Sequence, residues 1–308
     1  MNVLSLNIRG LGVQGKASWV RNLRIQNEAN CVFLQETQCS DVSGFDLEDF
    51  WGRGNFQSDC VEANGRSGGL ITMCDPGFFT VMDVKKSQNT LLIIGTIRGS
   101  GVLTCLMNVY APQQSVAKRV VWNDIEQSMS TAEGYWVVAG AFNSVRDSSE
   151  RKNSKFHVSS TQEFNDFIDR ANLHEYGLRG RKFTFAAGNK LSRIDRILVN
   201  WEFFMEWPFA EYRALCRDKS DHSPLILKIV SRNFGPKPFR FFNSWLDRND
   251  FYEVVAGILN EARVDGAPDE RLMKKFRLLR QGINTWKDAC LSRELEEKRT
   301  LDQELNRL

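Results

Sequence analysis

The residues able to do chemistry in this 308-residue chain stand at or beside the ends of short apolar runs. Asn7 closes the first run, Glu36 follows Val32-Phe33-Leu34-Gln35, and Asn108 and Tyr110 flank the end of the run at 103–109. Asn143 comes just after 136–139, Asp195 opens the run ending at Val199, and Asp221 and His222 precede 224–230. Singly, such Asn and Asp residues are turn formers. Together they offer carboxylates, amides and an Asp-His pair to one rim of a fold. Hard oxygen donors with few Cys or His suit Mg²⁺, or Mn²⁺, better than zinc. Hydrolysis of a phosphodiester calls for that kind of set: charge neutralisation in the transition state, an oriented water, and relief for the leaving oxygen.

The elements that must position them are legible from periodicity. Residues 2–8 predict a strand with Leu4, Leu6 and Ile8 on one face, and 16–27 a helix through Trp19 and Leu23. Runs at 31–34, 69–73, 80–84, 91–97, 103–109, 136–139, 193–199 and 224–230 predict strands, many of them β-branched and bounded by turn residues. Helices are expected at 116–129 and 161–171, the second with Ser160 and Glu163 at capping-box spacing. Hairpin-length gaps between many strands favour an α/β sandwich of mixed or mainly antiparallel sheets over a doubly wound parallel sheet.

With 42% hydrophobic and 26% charged residues, the chain has the makings of a sizeable core. A net charge of +3 permits a nucleic-acid partner without arguing for one, so any phosphate-binding face has to be local. Seven cysteines without a C-x-x-C pair point to a reducing, intracellular compartment. Residues 1–10 do not read as a signal peptide, and no apolar stretch approaches the ~20 residues needed to span a bilayer. Gly235-Pro236-Lys237-Pro238 reads as a linker, which divides the chain into 1–231 and 232–308. Beyond Pro268, Leu272, Phe276, Leu279, Ile283, Trp286 and Cys290 form an apolar seam, read as a helix packing back on the domain rather than a functional coiled coil.

Seven blocks, in order, carry a resemblance. They are Leu6-Asn7-Ile8-Arg9-Gly10, Leu34-Gln35-Glu36-Thr37, Ser67-Gly68-Gly69, Asn108-Val109-Tyr110-Ala111-Pro112, Gly140-Ala141-Phe142-Asn143, Ser192-Arg193-Ile194-Asp195-Arg196 and Ser220-Asp221-His222-Ser223-Pro224. Over about the first 230 residues the chain resembles the endonuclease/exonuclease/phosphatase superfamily. Its wording is most similar to the endonuclease of plant non-LTR (LINE-type) retrotransposons, through Arg9, Gly180-Arg181-Lys182-Phe183-Thr184, Pro238-Phe239-Arg240-Phe241 and Trp245. In those elements a similar stretch leads to a reverse transcriptase, which is not expected here because the sequence ends at Leu308.

The resemblance implies a four-layered α/β sandwich of the DNase I-like kind, followed here by a helical extension. It implies a Mg²⁺-dependent (Mn²⁺ as substitute) endonuclease that nicks nucleic acid, DNA by expectation, and hence nuclear residence. It implies that Glu36 binds the metal with Asn7 beside it and Asp221 contributing. Tyr110 and Asn143 would contact the scissile phosphate. His222 would polarise the phosphate or orient the attacking water, with Asp195 holding its imidazole. Thr184 and Ser220 are candidates for phosphate hydrogen bonds.

Two positions depart from the family pattern. Arg9 stands where repair-type relatives tend to carry an acid and could touch a DNA phosphate instead. At 140–143 the family wording Gly-Asp-x-Asn becomes Gly140-Ala141-Phe142-Asn143. The missing carboxylate would orient the water or assist the leaving oxygen, help worth ~10²–10⁴ in rate. Two further readings therefore stand beside an impaired nuclease: an inactive module that still binds nucleic acid, and a phosphatase or phosphodiesterase of small substrates. Arg179, Arg181, Lys182, Lys190, Arg193 and Arg196, interleaved with Phe183 and Phe185, suggest a DNA-facing surface, Arg181 and Lys182 above all. Oligomeric state is not legible.

Overall fold

The computed structural model describes residues 1–65, 67–229 and 245–305. The chain divides into two compact units, Met1–Ser231 and Arg232–Leu308. The first runs β1 (Asn2–Asn7), α1 (Lys16–Gln26), β2 (Cys31–Gln35), α2 (Leu47–Trp51), β3 (Gln57–Asn64), β4 (Ser67–Cys74), β5 (Phe79–Lys86), β6 (Thr90–Ile97), β7 (Leu103–Tyr110), α3 (Ser115–Ser130) and β8 (Tyr135–Ala141). It continues β9 (Arg151–Lys152), α4 (Val158–Arg170), β10 (Leu173–His174), β11 (Arg179–Gly180), β12 (Phe185–Ala187), β13 (Lys190–Ser192), β14 (Asp195–Asn200), α5 (Trp201–Glu206), β15 (Glu211–Ala214) and β16 (Leu225–Lys228).

Two large sheets follow, in the orders β11-β15-β16-β1-β2-β4-β3 and β10-β14-β8-β7-β6-β5, with a small third sheet β12-β13-β9. The pairs β1–β2, β7–β8 and β11–β15 are parallel and the rest antiparallel. β1 and β2 are buried along nearly their whole length, as are β7 and β8, because apolar layers cover both faces. Val3, Phe33, Leu106, Val137 and Ile197 fill the space between the sheets. Leu4, Leu34 and Ile71 pack outward against Trp19, Val20 and Leu23 of α1 and Phe50 and Trp51 of α2. On the other side Met107, Val138 and Leu198 pack against Val121, Trp122 and Ile125 of α3 and Phe164, Phe167 and Ile168 of α4. The layers therefore run helix, sheet, sheet, helix, a four-layered α/β sandwich.

α4 begins at Val158, three residues before the position its sequence predicts. Its N-cap is His157, with no side-chain hydrogen bond, and Glu163 reaches across to Arg119 of α3 instead of closing a capping box. β3 was not legible in the sequence because it is an edge strand with a mostly exposed pattern and so lacks apolar alternation.

The second unit contains α6 (Phe251–Glu261) and α7 (Pro268–Leu305). Only the later half of the apolar seam is covered: Ile283, Trp286 and Cys290 are buried with Phe251, whereas Leu272 and Phe276 are exposed. The proposed linker at 235–238 and the block at 238–241 lie outside the described residues. No helix among the described residues is long and apolar enough to cross a membrane.

Candidate active site

Parallel strand ends bring the first set of residues together. Asn7 lies opposite Gln35 across β1–β2, so Asn7 and Glu36 leave adjacent strands side by side. Asn7 Nδ2 donates to Glu36 Oε2 at 3.1 Å, and Gln38 Nε2 donates to Oε1 at 2.9 Å. In the second sheet Ala141 at the end of β8 is flanked by Tyr110 on β7 and Asp195 on β14. Burial, then the neighbouring charge of Glu36, raises the Tyr110 pKa, so its phenol stays protonated and able to donate at neutral pH. Asn108, although at a strand end, does not face this site. It is fully buried, and its amide donates to the carbonyls of Leu34 and Ile71 while its oxygen accepts from Gln35 at 2.7 Å. Asn108 thus ties the two sheets together beneath the site.

The turns after these strands are held in unusual conformations. Arg9, Glu36, Gln38 and Asn143 all have φ between 52° and 54°, a region costly for residues with a Cβ and most often retained near functional sites. Two buried lysines anchor the turns at Arg9 and Asn143. Lys16 donates to the carbonyls of Ile8, Arg9 and Gly10 at 2.6–2.9 Å, and Lys118 to that of Asn143 at 2.5 Å. Gly140, at φ +147°, is required: a Cβ there would lie 1.9 Å from the Val109 carbonyl oxygen.

Asp195 and His222 form the buried pair that the resemblance implies. Nδ1 of His222 lies 2.9 and 2.8 Å from the two carboxylate oxygens, and the residues are 3% and 5% exposed. An Nδ1–H donated to Asp195 fixes the tautomer and leaves Nε2, 3.9 Å from Asp221 Oδ1, as the ring nitrogen without a proton. Thr184 and Ser220, expected to meet phosphate, serve the scaffold. Thr184 is fully buried and its hydroxyl accepts from the backbone N–H of Ile194 and Asp195. Ser220 Oγ donates to the Asn7 carbonyl and accepts from the His222 N–H, locking the Asp-His segment to β1.

Arg9 and Asp221 are paired with each other. The contact joins Nη1 of the half-exposed Arg9 to Oδ2 of Asp221, and Oδ1 of that carboxylate is left without a hydrogen-bond partner. The donor set still suits one hard cation. Glu36 supplies a carboxylate, and Asn7 Oδ1 and Asp221 Oδ1 are buried oxygens without a hydrogen-bond partner. Among the described residues no group of three or more His, Cys, Asp or Glu comes together to hold a metal ion.

These residues line one cleft of about 330 Å³ with Asn7, Arg9, Glu36, Tyr110, Asn143 and His222 on its surface. Asp195 supports His222 from below. The far wall comes from Phe185 and Ser192 of the small sheet, with Arg151 and Lys190. The Phe185 ring lies 4.9 Å from the His222 ring. Gln38, Arg151 and Lys118 had no signal in the sequence, since no periodicity marks an isolated polar residue brought in by a loop or small sheet. The basic surface needs correction. Arg196 is fully buried between Glu150 and Glu175, and Arg193 pairs with Glu175 at 2.6 Å, so both belong to an internal ion network. Arg181 and Lys182 are exposed and do not line the cleft.

A model described as the Endonuclease/Exonuclease/phosphatase family matches residues 4–222. No curated protein sequence matches the chain. The AP endonuclease LMAP from Leishmania major superposes with a TM-score of 0.60 at 12% identity, covering 74% of this chain and 87% of that one. The 3'-5' exonuclease NExo from Neisseria meningitidis gives 0.58 at 20% identity, over 74% and 99% of the two chains. The endonuclease domain of TRAS1, a telomere-specific non-LTR retrotransposon, gives 0.54 at 14% identity, over 75% and 99%. At these identities the superpositions speak for the fold. The match over residues 4–222, on a sandwich whose strand ends bring Glu36, Tyr110, Asn143 and the Asp195–His222 pair to one rim, makes this chain a member of the endonuclease/exonuclease/phosphatase family.

Proposed function

We propose that the protein is a phosphodiesterase of the nuclease type, acting on DNA in the manner of a nicking endonuclease, with chemistry slowed by Ala141. The observation that carries this is the pairing of one metal-suited carboxylate, Glu36, with a buried Asp195–His222 couple across a cleft lined by Tyr110 and Asn143. The kinship with retrotransposon endonucleases rests on the block wording and on the likeness to the TRAS1 domain.

Glu36 and Asn7 would hold Mg²⁺, with Asp221 at its edge. The ion, when bound, supplies charge neutralisation at the phosphate. The Tyr110 hydroxyl donates a hydrogen bond to a phosphate oxygen. His222 Nε2 faces the phosphate, and Asp195 stabilises the imidazolium if the ring takes a proton. Asn143 is fixed by Nδ2 donating to the Ala111 carbonyl at 2.7 Å. Ala141, flanked by Tyr110 and Asp195, carries only a methyl group where a carboxylate would take or deliver a proton.

The test is nicking of supercoiled plasmid in Mg²⁺ by this protein and by Ala141→Asp. The variant should be faster by about 10²–10⁴. Equal rates would refute the assigned loss. Ala141 equally favours a second reading, a module that binds nucleic acid without cutting it. Mobility shift beside the nicking assay separates the two, since binding with no detectable nicking selects the second.

A further inference from the structure

α3 and α4 lie side by side and point the same way. Near their starts Arg119 pairs with Glu163 at 2.7 Å, and nearer their ends Glu126 pairs with Arg170 at 2.8 Å. Parallel neighbours bring two positive helix N-termini to one place. Neither first turn contains an acidic residue, and the N-caps Gln114 and His157 supply no side-chain acceptor.

Between those ends is a hollow of about 270 Å³ lined by Ser115, Lys118, Ser144, Arg151, Ser160 and Thr161 among others. Lys118 is 6% exposed and Arg151 half-buried. Each donates to a backbone carbonyl, and among the described residues neither forms an ion pair. Burial, then Arg151, pulls the Lys118 pKa down to about 8. Ser144 is 3% exposed and its hydroxyl has no partner, and Arg151 Nε is likewise buried and unpaired. Two uncapped helix ends, two cations and an unpaired hydroxyl around one hollow leave the region short of a negative group with several acceptor oxygens.

We propose that this hollow is a phosphate-binding pocket that seats a backbone phosphate of the bound strand next to the one held in the cleft. Gln113, Asn143 and Arg151 line both hollow and cleft, so the two are contiguous. The assignment to a strand rests on the nucleic-acid reading above, whereas the recognition of phosphate does not. Asn143 would couple the two, because its carbonyl receives Lys118 while the residue borders the cleft.

The test uses the full chain and two variants, Arg151→Gln and Ser144→Ala, the second removing only an unpaired buried oxygen. Inorganic phosphate is titrated while the backbone amide resonances of Ser115, Ser159 and Ser160 are followed. Saturable shifts are expected in the wild type, with affinity weakened about ten-fold in Arg151→Gln and less in Ser144→Ala. Absence of shifts, or equal affinity in all three proteins, would overturn the pocket. In a second arm, binding of a single-stranded deoxyoligonucleotide is measured against salt. Arg151→Gln should weaken it for all sequences and lower the salt slope by about one. Phosphate binding with unchanged oligonucleotide affinity and slope would overturn the assignment to the strand. A wild-type chain that bound phosphate but no oligonucleotide would overturn that assignment and the nucleic-acid reading together, leaving the phosphate pocket standing.

Discussion

At the residue scale, the cleft is organised by groups that never touch its contents. Lys16 and Lys118 are the main ones. Each is a buried ammonium whose hydrogen bonds are to main-chain carbonyls, and each holds a turn carrying site residues. A buried ammonium is expensive to desolvate, which lowers its pKa. For Lys118 the folded value is about 8 against 10.5 for the free side chain. Between those pH values the unfolded chain binds more protons than the folded one, so stability contributed by this group rises with pH across that window. The urea midpoint of the wild type should therefore gain on that of Lys118→Met between pH 8 and pH 10.5. A constant difference would mean that Lys118 is not desolvated as described. Neither lysine was legible in the sequence, because Lys is read as exposed unless a partner gives it away, and here the partners are carbonyls. Glu36, Asp195 and His222 were legible because their blocks keep their wording and order.

At the element scale, the second sheet depends on a charge network beneath it. Arg196, on β14, is wholly buried and lies between Glu150 and Glu175, while Arg193 pairs with the same two carboxylates. Burial pulls the Arg196 pKa down, but Glu175 and Glu150 outweigh it and hold it above the usual value. Arg196→Leu would leave those carboxylates short of a cation and should cost about 3–5 kcal/mol in urea denaturation. A loss below about 1 kcal/mol would show that Arg193 alone satisfies them. In the sequence Arg196 looked like part of a basic surface, since a one-dimensional pattern gives the spacing of charges but not the acids that meet them from Glu150 and Glu175, distant in the chain. The strands β1, β2, β6, β7 and β8 announced themselves by dense apolar runs. The two- and three-residue strands of the small sheet did not, and that sheet supplies the wall with Phe185 and Arg151.

For the whole molecule, a net charge of +3 is too small to draw nucleic acid by itself. On the nucleic-acid reading, attraction would come from cations that form no ion pair among the described residues, which puts the emphasis on Arg151 and Lys118 rather than on Arg193 and Arg196. The sandwich itself followed from strand counting and turn spacing. The location of its unpaired basic charge did not, because that depends on which basic residues are already neutralised inside the fold.

The Arg9–Asp221 pair has one more effect. On the proposed reading, a divalent ion at Asp221 Oδ1 would sit beside a tethered guanidinium already seated on Oδ2, so loading would set one cation against another. Arg9→Ala should then tighten Mg²⁺ binding in titration calorimetry, and identical isotherms for the two proteins would show that the ion does without Asp221. The guanidinium that swings free on loading would be released at the mouth of the cleft, the moment at which a polyanion could receive it.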